Sequence, residues 1–494
     1  MRLSRFSGAV TLPLCLALAG CSLTRPPAAV PPPVPAQWNA PLPPPGPAAP
    51  PLPVGSIPAL TDWWRQLNDP LLDRLIAAAQ DESPTIASAA ARIAEARATR
   101  VQSGAALLPN LDASMTGTRG NSGSRFGASP TGGLIAIPIT TTQATLQSSW
   151  EADLFGRLRS DREAAQTRLV SADAKWHDAR VSVAAETANA YFAERACIQQ
   201  LTVSESDTRS RSETARLSDL SSQAGFTAPA DAALARASAS DASGRLSQQR
   251  AQCDVQRKAL VALTGIDDAE LAARLAASPV QQALPNVQAV ASVPADMLVQ
   301  RPDVYANELG VAAASAEVGS AEAARYPRLT LQGSVGRTTF RLAGQEQSLD
   351  TWSIGPVSLT LPLFDGGTRR ANVESAKARY AEAVAVYRGS VRQAVREVEE
   401  ALVNLQSTDA RASDADSAVK NYQAAFDAMQ ARYKSGLASL IELEDVRRTL
   451  YAAQTARVAL QRERANAWVA LYRTTGGGWT RAASLTSSSA APSP

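Results

Sequence analysis

Proline is absent from residues 139–228, 230–278 and 363–491, although the chain contains 31 of them. The same stretches are rich in Ala, Arg, Glu, Gln and Leu, the better helix formers. An internal proline removes a backbone donor and clashes with the preceding turn, so its exclusion from such long segments points to very long helices. Residues 157–222 as one helix would extend ~100 Å at 1.5 Å per residue. A rod of that length does not suit a compact domain. It suits a structure that bridges a wide aqueous gap.

The long segments correspond to each other at an offset of 211 residues. Gly225 matches Gly436, Trp176 matches Tyr387, Glu163 matches Glu374 and Arg159 matches Arg370. Leu263-Thr264-Gly265 matches Thr474-Thr475-Gly476. A duplication with so long a period means two copies of one structural unit. Each copy opens with a helix. Ser83 and Pro84 form a start in the first, before a stop at Pro109; Pro302 opens the second, which stops at Pro327. Alternating segments follow. Leu111, Ala113 and Met115 interleave with Asp112, Ser114 and Thr116, and Leu146, Trp150 and Leu154 alternate with largely polar neighbours. Leu329, Leu331 and Val335 repeat the pattern, as do Trp352, Ile354, Val357 and Leu359 with a register change near Pro356. Period two predicts strands with one apolar and one polar face, as in a soluble hairpin or a transmembrane barrel. Four strands cannot close a barrel, so membrane strands would require several chains to share one.

The N-terminus reads as an address. Arg2 and Arg5 precede an apolar stretch too short to span as a mature helix, which ends in Leu18-Ala19-Gly20-Cys21. Small residues before a cysteine resemble a bacterial lipobox, which implies cleavage before Cys21 and its acylation, with Ser22 resembling an outer-membrane signal. Residues 26–58 hold 15 prolines and predict an extended spacer between lipid and folded body. The expected organisation is a signal peptide over 1–20, a lipidated and Pro-rich linker over 21–60, a first repeat over 61–280, a second over 281–480 and a disordered tail over 481–494.

Composition narrows the function. Lys+Arg is 49 against Asp+Glu 46, a net charge of +3, which argues against a nucleic-acid partner. One His and four Cys leave little for a metal or haem site, and no cofactor is expected. His177 reads as a surface residue. No Gly-rich phosphate loop and no nucleophile–base set points to an enzyme.

Several blocks together resemble the TolC/OprM-type outer-membrane efflux factors, lipidated branch. They are Asp62-Trp-Trp-Arg-Gln-Leu, Trp150-Glu-Ala-Asp-Leu-Phe-Gly-Arg157, Arg301-Pro-Asp-Val304, Tyr326-Pro327, Pro362-Leu-Phe-Asp-Gly-Gly367 and Gly476-Gly-Gly-Trp479. The resemblance implies an α+β membrane protein and a homotrimer. Each chain would give four strands to a 12-stranded outer-membrane barrel continuous with a long periplasmic α-helical barrel. It implies a passive exit duct for drugs or other small toxic compounds, with a periplasmic adaptor and an inner-membrane pump as partners and the outer-membrane lipid as setting. A structural spacer lipoprotein and a metal-ion efflux duct are the alternatives.

Site residues follow from the same resemblance and from spacing. The two helix turns, with Gly225, Phe226 and Thr227 in one and Arg432, Lys434, Gly436 and Leu437 in the other, are the expected adaptor-docking tips. Ile441 and Asp445 align with the closed periplasmic constriction; at i and i+4 they share one helix face. The competing reading pairs Asp445, and likewise Glu444, with Arg448 on a solvated face. Cys197 lies 28 residues before Gly225 and Cys253 lies 28 after it. Antiparallel helices around that turn place both at one height, which predicts a disulfide in an oxidising compartment. Thr408 and Arg464 occupy those places in the second repeat, so its hairpin is expected to be unclamped.

Overall fold

The computed structural model describes residues 24–33, 40, 69–122, 137–278, 298, 301–342, 344–479 and 481. Cys21, Trp63, Trp64 and the tail beyond 481 fall outside the described residues. Among the described residues the elements run α1 (Pro70–Glu82), α2 (Pro84–Ala105), β1 (Asn110–Ser122), β2 (Ile137–Ala152), α3 (Arg157–Gln223), α4 (Pro229–Thr264), α5 (Asp268–Ala277), α6 (Pro302–Ala323), β3 (Arg328–Leu342), β4 (Gln345–Thr360), α7 (Thr368–Lys434) and α8 (Leu440–Thr474). The duplication is visible in this order. Helix, two strands, a 67-residue helix and a helix of 36 residues are followed by helix, two strands, a 67-residue helix and one of 35. No described helix is long and apolar enough to cross a membrane.

The chain divides into two compact units that cut across both repeats. One gathers residues 1–31, 92–172 and 307–387; the other gathers 32–91, 173–306 and 388–494. The first unit holds the sheet. Its strands pair antiparallel in the order β1-β2-β3-β4, so the central pairing, β2 with β3, joins the two repeats. The register change expected near Pro356 is a bulge. Leu331 pairs with Val357 and Gly333 with Ile354, which leaves one extra residue on β4 beside a cis Gly355–Pro356 bond. Trp150 fixes the lower end of β2 by donating its indole N–H to the Leu107 carbonyl at 3.0 Å.

The strand-to-helix blocks explain themselves as caps. Asp153 accepts from the Leu158 and Arg159 amides at 3.2 and 2.9 Å, satisfying donors that the first turn of α3 leaves free. Asp365 does the same for α7, accepting from Gly367 at 3.0 Å and Arg369 at 3.1 Å. The spacer expectation for residues 26–58 needs correction at its start. Residues 24–33 adopt neither helix nor strand, but Arg25 already bonds Glu163 of α3 through both oxygens, at 2.7 and 2.8 Å. A charged side chain just before the prolines meets a complementary carboxylate, so the chain docks before the Pro-rich stretch can act as a spacer.

In the second unit α1 is capped by Asp69, which accepts from Leu71 and Leu72 and also holds the Tyr191 hydroxyl. Arg301 is buried, donates to Asp303, Glu397 and the Thr474 carbonyl, and so ties the start of α6 to α7 and the end of α8. The Arg301-Pro302-Asp303 block is thus a structural knot. Asp178, facing Asp303 and Glu397 across this knot, has its carboxyl pushed up to about 6, chiefly by burial. His177 is less exposed than a surface position implies: its ring lies 4.9 Å from Trp176 and 5.9 Å from Trp479, and burial lowers its pKa.

Candidate functional site

The second unit contains the larger part of two helical hairpins, α3–α4 from residue 173 and α7–α8 from residue 388, and each turns on a glycine with positive φ, +80° at Gly225 and +73° at Gly436. Other residues rarely adopt that conformation without strain. Both turns close with the same pair of bonds. Gly225 N–H reaches Ser222 O and Phe226 N–H reaches Ser221 O; Gly436 N–H reaches Tyr433 O and Leu437 N–H reaches Arg432 O. These bonds satisfy the last carbonyls of each long helix. Phe226 and Leu437 then project into solvent, at 87% and 69% exposure. Arg432 donates across its turn to the Leu437 carbonyl, and Arg432 and Lys434 place positive charge at the helix C-terminus, where the dipole favours it.

The outgoing helices start differently. α8 has a full capping box: Ser439 Oγ accepts from the Glu442 amide, and the Glu442 carboxylate accepts from the Ser439 amide. α4 starts with Pro229 after Ala228, which offers no side-chain cap.

One turn above the second tip, α8 presents two contrasting faces. Ile441 is 67% exposed, and Asp445 shares its face, paired with Arg448 at 2.5 Å. Glu444, three residues on from Ile441 and lining the same cleft, and Arg447, on the buried side of α8, both reach the first hairpin. Glu444 does not pair with Arg448, which corrects that half of the competing reading. It accepts instead from Arg211 of α3, Ser238 of α4 and Arg447 of its own helix. Arg211 also grips Asp207 through both oxygens at 3.0 Å, and Arg245 joins Asp207 at 3.5 Å. Arg447 is almost fully buried, donates to Thr214 Oγ1 at 2.9 Å and lies over the Phe426 ring. Burial pulls its pKa down from the usual guanidinium range. Hydroxyl contacts continue along the same seam, Ser218 to Tyr433, Ser204 to Tyr451 and Gln200 to Thr455.

Four arginines (211, 245, 447, 448) thus sit among four carboxylates (207, 241, 444, 445), joined by direct ion pairs. An open cleft of about 590 Å³ lies beside them, with Ile441, Asp445, Leu234 and Tyr451 in its lining. Nothing here has the geometry of a nucleophile with its base. A charge-neutral latch between two hairpins can hold or release a conformation.

Higher in the first hairpin the structure joins Cys197 to Cys253, Cα atoms 5.5 Å apart, both buried. The equivalent level of the second hairpin has a buried Thr408 and an Arg464–Asp409 pair at 3.0 Å. Spacing in the sequence pointed to the cysteines, the tips and the shared face of Ile441 and Asp445. It named Glu444 with the wrong partner and missed Arg211 and Arg447. Their signal was the spacing of 200, 204, 207, 211, 214 and 218, a recurring three–four step that puts these polar residues on one stripe of α3.

The sequence matches the outer membrane efflux protein family over residues 75–266 and 293–477. The chain belongs to that family. Among curated relatives, this efflux protein is 32% identical over 489 residues to the pyoverdine export outer membrane protein OpmQ of Pseudomonas putida, covering 95% of this chain and 97% of that one. It is 30% identical to the outer membrane protein OprJ of Pseudomonas aeruginosa, covering 86% and 88%. Among solved structures it is similar to the outer-membrane channel OprN, with a TM-score of 0.76 at 27% identity, covering 91% of this chain and 99% of that one. The open state of the MtrE outer membrane channel of Neisseria gonorrhoeae matches with a TM-score of 0.69 at 26% identity, covering 90% and 99%. The efflux protein is therefore an outer-membrane protein of a channel family, and that family is not one of enzymes.

Proposed function

We propose that three copies of this chain form a passive duct that carries small compounds outward across the outer membrane. Each would contribute its four strands to a shared twelve-stranded barrel, and the helical hairpins would enclose the periplasmic part of the duct. The open sheet supports this reading. Among the described residues β1 and β4 each have one strand partner, and Leu111, Met115, Trp352, Ile354, Val357 and Leu359 are exposed on the strands. Unpaired edges and apolar faces of this kind require further strands and lipid around them. α2 has no buried residue in a single chain, which leaves its surface for neighbouring copies. The spacer alternative had no use for such a sheet.

The observation that carries the gating part is the division of α8. Ile441 and Asp445 are exposed at the cleft, while Glu444 beside them and Arg447 on the buried side of α8 lock the helix to the first hairpin. Three copies of Ile441 and Asp445 would form an apolar and an acidic ring that narrow the duct. Gly225, Phe226, Thr227, Gly436 and Leu437 would present the tips to a periplasmic adaptor, which connects the duct to an energised inner-membrane pump. Acylation at Cys21 would anchor the chain in the outer membrane. Relatives named for pyoverdine export and for toluene efflux support small organic compounds as cargo. A wide water-filled duct selects weakly, so the pump chooses among them.

Electron microscopy of the detergent-extracted protein tests the assembly. The expected particle is a hollow cylinder with three-fold symmetry; a monomer or a solid helical rod would remove the shared barrel.

A further inference from the structure

The segment that follows Cys21 has a receptor built for it. Arg25 places its guanidinium against both oxygens of Glu163, six residues into α3. The next two residues are prolines, which have no amide hydrogen to satisfy and carry carbonyls that only accept. Both carbonyls are met. Ser315 of α6 donates its hydroxyl to Pro26 O, and Tyr380 of α7 donates its own to Pro27 O at 2.9 Å. Ser315 is fully buried, so its hydroxyl is committed to this contact. Gly319, one turn further along α6, leaves the room: a methyl group there would stand 3.6 Å from Arg25 Cδ and 3.3 Å from Ser160 Oγ. An exposed ion pair contributes little alone, but here it is joined by two carbonyl contacts on two other helices.

The receptor breaks the internal duplication. Glu163 corresponds to Glu374 in the second repeat, and Glu374 bonds Lys377 of its own helix instead. Among the described residues, only the first copy of this carboxylate holds the N-terminal segment. The three helices that meet Arg25–Pro27 come from both repeats.

We infer that α3, α6 and α7 form a specific intramolecular binding site for Arg25-Pro26-Pro27, which recognises a cation followed by two prolyl carbonyls. The occupant is this chain's own N-terminal segment. The site fixes where the lipid-bearing end of the chain leaves the folded body. Cys21 is four residues from Arg25, so the acyl-bearing residue is held within ~14 Å of the lock even if fully extended. This role rests on the reading of Cys21 as the acylated residue, whereas the docking itself does not.

Spin labels at Ala29→Cys and Ala381→Cys, both exposed positions, would report the docking by pulsed electron resonance on full-length protein, with labelled chains diluted into an excess of unlabelled ones. The expected result is one narrow distance. Glu163→Arg should broaden it several-fold, and the swap Arg25→Glu with Glu163→Arg should restore the narrow distribution. A broad distribution in the parent, or one that Glu163→Arg leaves unchanged, overturns the site. Broadening that the swap fails to repair would mean that Glu163 acts on fold alone, and it overturns the recognition of Arg25. Mass analysis of the N-terminal peptide separates the two readings. An unacylated Cys21 with a narrow distance would retain the strap and discard its anchoring role.

Discussion

The two hairpins descend from one repeat and share their turn geometry, yet they are secured differently. The first, α3–α4, is covalently joined at Cys197–Cys253. The second, α7–α8, has near that level two ion pairs, Arg464–Asp409 and Arg411–Glu463, and a buried threonine hydroxyl bonded within its own helix. The second nevertheless carries Ile441 and Asp445, and the latch residues Glu444 and Arg447 tie it to the first. The difference teaches a division of labour. A chain that must open a duct by moving one hairpin past another gains from a fixed reference, and ionic contacts between hairpins can be exchanged where a covalent bond cannot. We therefore treat the first hairpin as the frame and the second as the moving part.

This comparison can be broken at several points. The largest expected effect is loss of the covalent clamp. The bridge closes a loop with a sequence separation of 56 residues, and the chain-entropy model assigns such a loop about 4 kcal/mol. Cys197→Ser with Cys253→Ser should lower stability by about that amount in denaturant titrations, while reductant should leave the double variant unaffected.

The latch comes next. Arg211→Ala would leave Asp207 and Glu444, both largely buried, without their shared cation. Breaking one side of such a network costs roughly 3 kcal/mol. Proteolysis at the second hairpin should accelerate more than at the first. Equal acceleration in both would dissolve the distinction between frame and moving part.

A third effect depends on pH and belongs to the frame. Glu194 is buried beside the bridge with one carboxylate oxygen unpartnered, and burial pushes its carboxyl up to about 7 from an ordinary 4.5. The folded state then holds more protons than the unfolded state between about pH 4.5 and 7, so this residue's contribution to stability falls as pH rises through that window. Glu194→Gln should flatten that slope and add roughly 2 kcal/mol at pH 8. Thermal melts at pH 5 and pH 8 would check it. A slope that the variant leaves intact would assign the titration to other groups, Asp178 first.

The smallest effect concerns the starts of the outgoing helices. Ser439→Ala removes one half of a capping box and should cost about 1 kcal/mol, whereas Ala228→Ser in the first hairpin should gain up to about the same. Hydrogen exchange in the first turns of α8 and α4 would resolve both changes.

Much of this architecture was legible in the sequence, for definite reasons. Proline-free stretches gave helices over 157–222 that the structure places at Arg157–Gln223, because helix formation over such lengths is decided by the absence of breakers. Alternation gave the strands, since period two survives on a sheet that exposes one apolar face. The glycines marked the turns because only they accept the required φ cheaply. The latch was hidden for a physical reason. Beyond Cys197, α3 buries only small or polar side chains, among them Ser204, Asp207, Thr214, Ala215 and Ser218. Without a stripe of large apolar residues there, the polar stripe over residues 200–218 does not by itself say that this side meets the other hairpin. The docking of Arg25 was hidden as well. A proline-rich run reads as a linker whatever its neighbours are, and Glu163 and Tyr380 reach it from 138 and 353 residues away.

The central claim is that the second hairpin carries the closure and moves against a clamped first hairpin. Conductance of the purified protein in a planar bilayer tests it most directly, with Asp445→Ala in α8 beside Asp231→Ala in the first turn of α4. Asp445→Ala should raise the basal conductance, and Asp231→Ala should leave it at the parent level. An unchanged conductance in Asp445→Ala, or an equal rise in both variants, would contradict the account.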